Sequence, residues 1–425
     1  MIDIKLVRES PEVVKASQVA RQTDPGLVDE LLKLDQLKRA ARQTYDELRA
    51  KQGKIGKEIA SKTGDEKAQL LQEVASLAKE VKVADEEVGR TESEFDFVAS
   101  QIQNVIEDAP SGGEEDFVII KEIGDVNTAK TMGFEPKAHW QLGEDLDIID
   151  TKRGSKVAGS RFYFLKGLGA RLDLALPQMA LSLALKNGFI PMITPTLVRP
   201  EVMRGTGFLG LHDAEVYRLG GDDDSYLVGT SEVALAGYHQ DEFLEFPVVD
   251  SKRQPIKYSG YSSCYRREAG AAGKDTRGII RVHQFNKLEM FVYCTQEQAK
   301  DEHLKLLSLE EQMIQALELP YRVIDTAAGD LGSSAARKFD CEAWLPSENR
   351  YLELTSTSNC TTYQARRLNV REKTEAGTQN VATLNGTLAT TRFIVAILEN
   401  HQQADGSIKV PKALQPFLGV EVIGR

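Results

Sequence analysis

Apolar residues in the first hundred positions of the chain recur in alternating steps of three and four. One series runs Leu31, Leu34, Lys38, Ala41, Tyr45, Leu48, Gln52, Ile55, Ile59, with polar residues at only two positions. A second runs Leu70, Val74, Leu77, Val81, Ala84, Val88, Thr91, Phe95, Val98, Ile102, Val105. This 3.5-residue spacing lays one apolar seam along each helix, as a coiled coil requires. No proline falls between Gly26 and Ala109, and Ser61-Lys62-Thr63-Gly64-Asp65 offers a reversal point. The pattern predicts an antiparallel helical hairpin, roughly 50 Å long at about 1.5 Å per residue.

The heptads stop at Ala109-Pro110-Ser111-Gly112-Gly113-Glu114-Glu115-Asp116, a linker by composition. Beyond it, helical stretches mix with short apolar strand candidates at Tyr163–Leu165, Ile279–Val282 and Lys287–Val292. The expected organisation is an N-terminal module over residues 1–108, with its arm at about 29–106. A linker over 109–116 and an α+β catalytic domain over 117–425 follow.

Charge changes the picture of the arm. The whole chain of 425 residues carries a net −11, which by itself argues against a nucleic-acid partner. The basic residues are segregated, however. Residues 33–62 hold nine Lys or Arg against four acids, a net of +5, whereas residues 66–108 hold four bases and eleven acids, a net of −7. One helix can thus track a phosphate backbone while its partner stays acidic. Taken alone, the pattern favours a solvated coiled coil whose helices attract each other, so by itself it says only "interaction module". No run of about 18 apolar residues suggests a membrane span. The opening Met1-Ile2-Asp3-Ile4-Lys5 lacks a signal-peptide core, which favours the cytoplasm. Cys264, Cys294, Cys341 and Cys360 are scattered and read as buried free thiols; no spacing supports a zinc site.

The chemistry concentrates in Ser263-Cys264-Tyr265-Arg266-Arg267-Glu268-Ala269-Gly270-Ala271-Ala272-Gly273-Lys274-Asp275-Thr276-Arg277-Gly278 and the following Ile279-Ile280-Arg281-Val282-His283-Gln284-Phe285-Asn286-Lys287-Leu288-Glu289. A strand-like segment ends in Arg-x-Glu, a glycine-rich loop follows, and a second strand carries His-x-Phe. An antiparallel pair would bring Arg266, Glu268, Phe285 and Glu289 to one surface. There an arginine can neutralise a phosphoryl oxygen, a glutamate can accept from an adenine amino group, and a ring can stack on a base. For Arg267 and Arg281, structural salt bridges are an equal alternative.

This string resembles motif 2 of the class II aminoacyl-tRNA synthetases, and within that class it is most similar to the seryl-tRNA synthetases. Leu172–Asn187 followed by Gly188-Phe189-Ile190-Pro191-Met192-Ile193-Thr194-Pro195 resembles motif 1, which builds a dimer interface. Leu384-Asn385-Gly386-Thr387-Leu388-Ala389-Thr390-Thr391-Arg392, leading into a helix through Glu399, resembles motif 3. The resemblance covers essentially the whole chain, from Ile4-Lys5-Leu6-Val7-Arg8 and Pro11-Glu12 onward.

It implies an antiparallel-sheet catalytic domain, ATP as substrate, Mg2+, and a homodimer. By position, Arg266 would hold the α-phosphate and the serine carboxylate, with Arg267 in the same triplet. Glu268, Val282 and Phe285 would hold adenine, and Arg392 would pair with the γ-phosphate. Glu353, Leu354, Thr355 and Ser356, with Gln364-Ala365-Arg366-Arg367 beyond, match the ATP and metal segment, Glu353 and Ser356 being the magnesium donors. Thr230, Ser231, Glu232, Glu289 and Thr387 would surround serine, Glu232 facing its ammonium group. Thr355 stands where serine is frequent. Around Thr387 the string is one residue shorter than in many members, with threonine where serine is usual. The arm would embrace the transfer RNA for serine and, where present, that for selenocysteine. Pocket groups that bond the serine hydroxyl would reject alanine by something on the order of 10⁴-fold. A ligase that loads a carrier protein is the alternative enzyme, and a purely structural coiled coil the alternative class.

Overall fold

The computed structural model describes residues 2–210, 213–221, 224–270, 273, 275–375 and 377–424. Ala271, Ala272 and Lys274 of the glycine-rich string therefore lie outside the described residues. The chain divides into two compact units: Met1–Val19 with Thr23–Val105, and Ala20–Gln22 with Ile106–Arg425.

In the first unit, helices Gly26–Ile59 and Gly64–Gln101 form the expected hairpin. Contacts fall in number on one helix as they rise on the other: Lys38 over Phe95, Arg42 to Glu92, Lys51 to Glu73. The pair is therefore antiparallel. Every position of both predicted seams is buried or half-buried. At Lys38 the alkyl stem takes the apolar place while the ammonium sits 4.5 Å from the Phe95 ring centre. The reversal comes at Gly64, whose φ of +63° suits a residue without Cβ. One acid counted on the basic helix, Asp35, is buried; burial alone would raise its carboxyl, but Arg8 and Arg39 bind it and hold it below its ordinary value.

The second unit is built on an eight-stranded sheet. In chain order its strands are β1 (Val118–Ile123), β2 (Ile190–Ile193), β3 (Ile256–Tyr265), β4 (Gln284–Cys294), β5 (Tyr321–Asp325), β6 (Arg337–Leu345), β7 (Arg350–Asn359) and β8 (Ala382–Thr390). Their spatial order is β1-β5-β6-β7-β8-β4-β3-β2. All pairs are antiparallel except β3 with β2. Helices Leu168–Lys186, Ala299–Ala316 and Arg392–Asn400 pack with the sheet into one large apolar core. The two-residue period of β4 shows how: Leu288, Met290, Val292 and Cys294 enter that core, while Phe291 and Tyr293 join a smaller one with Leu235. All four cysteines are buried thiols outside any disulfide. Among the described residues, no helix is long and apolar enough to cross a membrane.

Two expectations change. Ile279–Val282 is not a strand but an irregular return of the glycine-rich loop, because its backbone groups bond to side chains instead of a neighbouring strand. The Ala109–Asp116 stretch, read as a linker from its composition alone, bonds within the second unit: Pro110 and Gly112 carbonyls accept from Ala328 and Gly329 N–H at 2.7 and 2.9 Å.

Candidate active site

Two one-residue register shifts shape a cavity of about 500 Å³ beside the central strands. On β7, Thr355 pairs with Cys341 but Glu353 with Glu342, leaving Leu354 as the extra residue. Strict alternation would put Glu353 and Ser356 on opposite faces; the bulge brings both to the cavity wall. On β8, Ala389 pairs with Leu288 but Thr387 with Glu289, so Leu388 is extra and Thr387 and Thr390 both reach the cavity. Facing them, β4 alternates Phe285, Lys287 and Glu289 inward.

Of the residues expected from sequence, Thr230, Glu232, Arg266, Glu268, Val282, Phe285, Glu289, Glu353, Leu354, Ser356, Thr387 and Arg392 line this one cavity. Three do not. The Ser231 hydroxyl donates to the Gly260 carbonyl at 3.1 Å, and Arg267 is exposed outside the cavity with its N–H on the Glu215 carbonyl. The bulge turns Thr355 to the opposite face, where its hydroxyl donates at 2.9 Å to Glu310, a fully buried carboxyl that burial pushes well up.

Among the described residues, every basic side chain lining the cavity but Arg266 pairs with a carboxylate. Arg392, first residue of its helix, donates to the Glu353 carbonyl at 3.0 Å and stands 3.5 Å from its carboxylate. Burial would raise Glu353, but Arg392, Lys338 and Arg266 overcome it and hold the acid below its ordinary value, so it is ionised. Lys287 pairs with Glu289. Arg281 takes the salt-bridge alternative, 3.6 Å from Glu268 and 3.1 Å from Asp275. Arg266 differs: it lies over the Phe285 ring at 5.3 Å, donates weakly to the Gly229 carbonyl at 3.3 Å, and pairs with no described carboxylate.

At the other end, Glu232 is pushed up to about 7 by burial first and by Glu289 second. Gln364 donates to it at 2.6 Å, and Gln364 is itself oriented by the Thr383 hydroxyl. Sequence reasoning matched Gln364 only as part of a string. It missed Glu215 altogether, whose carboxylate accepts from Ala269 and Gly270 N–H and anchors the outgoing limb of the glycine-rich loop. Lone polar residues at these positions carry no sequence signal.

The donor set fits magnesium carried by a nucleotide. Glu353 is an ionised oxygen donor with Ser356 beside it on the same wall, and hard cations of this size take one or two carboxylates with phosphates and water. Among the described residues no cluster of three or more His, Cys, Asp or Glu could hold an ion unaided.

Comparison with known proteins agrees with this geometry. Residues 217–401 match the tRNA synthetase class II core domain (G, H, P, S and T), and residues 1–106 match the seryl-tRNA synthetase N-terminal domain. The chain is 58% identical to a serine–tRNA ligase of Pseudarthrobacter chlorophenolicus over 99% of its own length and 98% of the relative's. It is 57% identical to a serine–tRNA ligase of Bifidobacterium animalis subsp. lactis, over 99% and 97%. A crystal structure of seryl-tRNA synthetase from Pyrococcus horikoshii complexed with ATP superposes with a TM-score of 0.89 at 39% identity, covering 100% and 99% of the two chains. The chain belongs to the seryl-tRNA synthetase family of class II aminoacyl-tRNA synthetases, ATP-dependent ligases that join serine to transfer RNA.

Proposed function

We propose that the cavity bounded by Arg266, Glu232 and Arg392 makes seryl-adenylate and then passes the seryl group to the terminal ribose of serine transfer RNA. The observation that carries this reading is Arg266, a cavity-facing guanidinium left without a carboxylate among the described acids. Such a group is poised for an anion that arrives from outside.

Glu232 receives the serine ammonium, whose charge favours the ionised carboxylate that burial opposes. Arg266 draws the serine carboxylate and the α-phosphate together, and Arg392 takes the γ-phosphate. Phe285, Val282 and Glu268 hold adenine. The serine carboxylate attacks the α-phosphorus, the bond to the β-phosphate oxygen breaks, and pyrophosphate leaves. No protein nucleophile is needed, so positioning and charge neutralisation carry the acceleration. Mg2+ bound by Glu353 and Ser356 together with the phosphates would supply further neutralisation of their charge. In the second step the ribose hydroxyl attacks the activated carbonyl and AMP leaves. Thr387 and Glu289, paired across β8 and β4, offer polar partners to the serine hydroxyl. Arg267 and Thr355, outside the cavity, serve the site only through backbone position.

The arm's basic helix holds the transfer RNA, and the protein works in the cytoplasm as a homodimer. The edge strand β2 supports the dimer: Ile190 is 55% and Ile193 90% exposed, as a waiting interface would be. Neither selenocysteine transfer RNA nor a carrier-protein acceptor has specific support. ATP–pyrophosphate exchange with each of the twenty amino acids tests the reading. Serine should drive it, with threonine and alanine far weaker; equal exchange with alanine would refute the pocket around Glu289 and Thr387.

A further inference from the structure

Behind the cavity wall lies a buried pair that the reaction does not use. His139 opens the helix His139–Asp145, Glu399 is the eighth residue of Arg392–Asn400, and both are fully buried. Glu399 Oε1 accepts from the His139 backbone N–H at 2.9 Å and lies 3.1 Å from His139 Nδ1. Its Oε2 accepts from the Ser347 N–H at 3.3 Å and the Ser347 hydroxyl at 2.7 Å. The other ring nitrogen, Nε2, lies 3.2 Å from the backbone nitrogen of Ile279. That N–H can only donate, so Nε2 carries the lone pair and Nδ1 carries the proton given to Glu399. The partners fix one neutral tautomer, since an imidazolium would set N–H against N–H at Ile279. The ring packs directly against the limb: a Cβ on Gly278, at φ +72°, would fall 1.9 Å from Nε2.

What the ring holds is the return limb of the glycine-rich loop. Ile279 and Ile280 line the cavity, and the Ile280 carbonyl accepts from Arg392 Nε at 3.4 Å. Arg392 and Glu399 stand seven residues apart on one helix, about two turns. Two neighbouring backbone groups of the loop are thus tied to the two ends of a single helix. The Ile280 carbonyl is tied directly and the Ile279 N–H through an imidazole. A second contact secures the same limb, with the Arg277 guanidinium 4.9 Å over the ring of Trp140, next to His139.

We propose that His139 is a positioning residue for ATP, relaying Glu399 to Ile279 so that the Ile279–Val282 wall and the Arg392 guanidinium keep one mutual geometry. The proposal rests on the reading that this cavity takes ATP. A mere strut would matter only for stability. A relay matters for ATP specifically, because Glu232, Glu289 and Thr387 at the serine end have no hydrogen bond or ion pair with Ile279–Val282 among the described residues.

The test compares His139→Leu, His139→Gln and Gly278→Ala in the full-length protein by ATP–pyrophosphate exchange, varying ATP and serine separately, with thermal denaturation alongside. Leucine removes both ring nitrogens, while the glutamine amide oxygen can again accept from Ile279. Gly278→Ala drives a Cβ into the ring and also strains the limb at φ +72°, so it separates ring from limb by a second route when His139→Leu does not fold. His139→Leu and Gly278→Ala should raise the KM for ATP about tenfold, leave that for serine within about twofold, and His139→Gln should recover most of the loss. A lower melting temperature with unchanged KM for ATP in the folded variants would overturn the relay and leave a strut. Absence of serine-dependent exchange in the unmodified protein would instead overturn the assignment of the cavity.

Discussion

Glu232, which we propose meets the serine ammonium, is held in a state that costs stability. Its carboxyl titrates near 7 because burial and Glu289 both disfavour the charge. A folded value above the unfolded one stabilises the protein fully only below the unfolded value, and that contribution is lost as pH rises through about 7. The cost at pH 8 is on the order of 3 kcal/mol for a shift from 4.5 to about 7. Glu232→Gln should therefore melt higher than the wild type at pH 8 and show no such gain near pH 4. The same ionisation serves binding in the opposite sense. Wild-type kcat/KM for serine should rise through an acid limb centred near pH 7, and the variant should lose both the limb and most of its serine affinity. A variant with the wild-type pH profile would remove Glu232 from the ammonium site. Arg266→Ala has a simpler signature. With no described carboxylate to orphan, it should nearly abolish adenylate formation while shifting the melting temperature little. Early melting with activity retained per folded molecule would make Arg266 structural.

At the scale of elements, much was legible and the exceptions share a cause. The seams of the hairpin could be read because coiled-coil packing repeats, so every position reports the same environment. Arg266, Glu268, Phe285 and Glu289 could be placed together because an antiparallel pair has one register per turn. The bulges at Leu354 and Leu388 could not be read, since one extra residue in a strand leaves no compositional mark. They decide the fate of Thr355, which lost its cavity position, and explain how a string one residue short still delivers Thr387. Ile279–Val282 looked like a strand because it is a short, mostly apolar run, but His139 and Arg392 claim its backbone bonds. On the arm, the net basic charge overstated what is available to RNA. Arg39, Arg42, Lys51 and Lys62 are engaged with acids, whereas Lys33, Lys54 and Lys57 pair with no described carboxylate. Reversing Lys54 and Lys57 to Glu should weaken transfer RNA binding and make its salt dependence shallower by about one charge per contact, with ATP–pyrophosphate exchange unchanged. Intact aminoacylation in that double variant would move the RNA to another face.

For the whole molecule, the exposed apolar residues of β2 and of helix Leu168–Lys186, among them Leu174 and Leu185, predict a twofold assembly. Sedimentation at micromolar concentration should give roughly twice the chain mass of 47.1 kDa; a species at the chain mass would count against it. The order of the sheet carries a different consequence, for synthesis. Its two halves, β1-β5-β6-β7 and β4-β3-β2, have no hydrogen bond between them except through β8. That strand, Ala382–Thr390, is the last of the eight to leave the ribosome. Until then each half exposes an open edge beside what becomes the catalytic cavity, a state prone to wrong pairing with other nascent chains. Folding of the second unit must wait for nearly the entire message to be read. A chain truncated just before Ala382 should be degraded or aggregate even though it holds most of the residues that line the site.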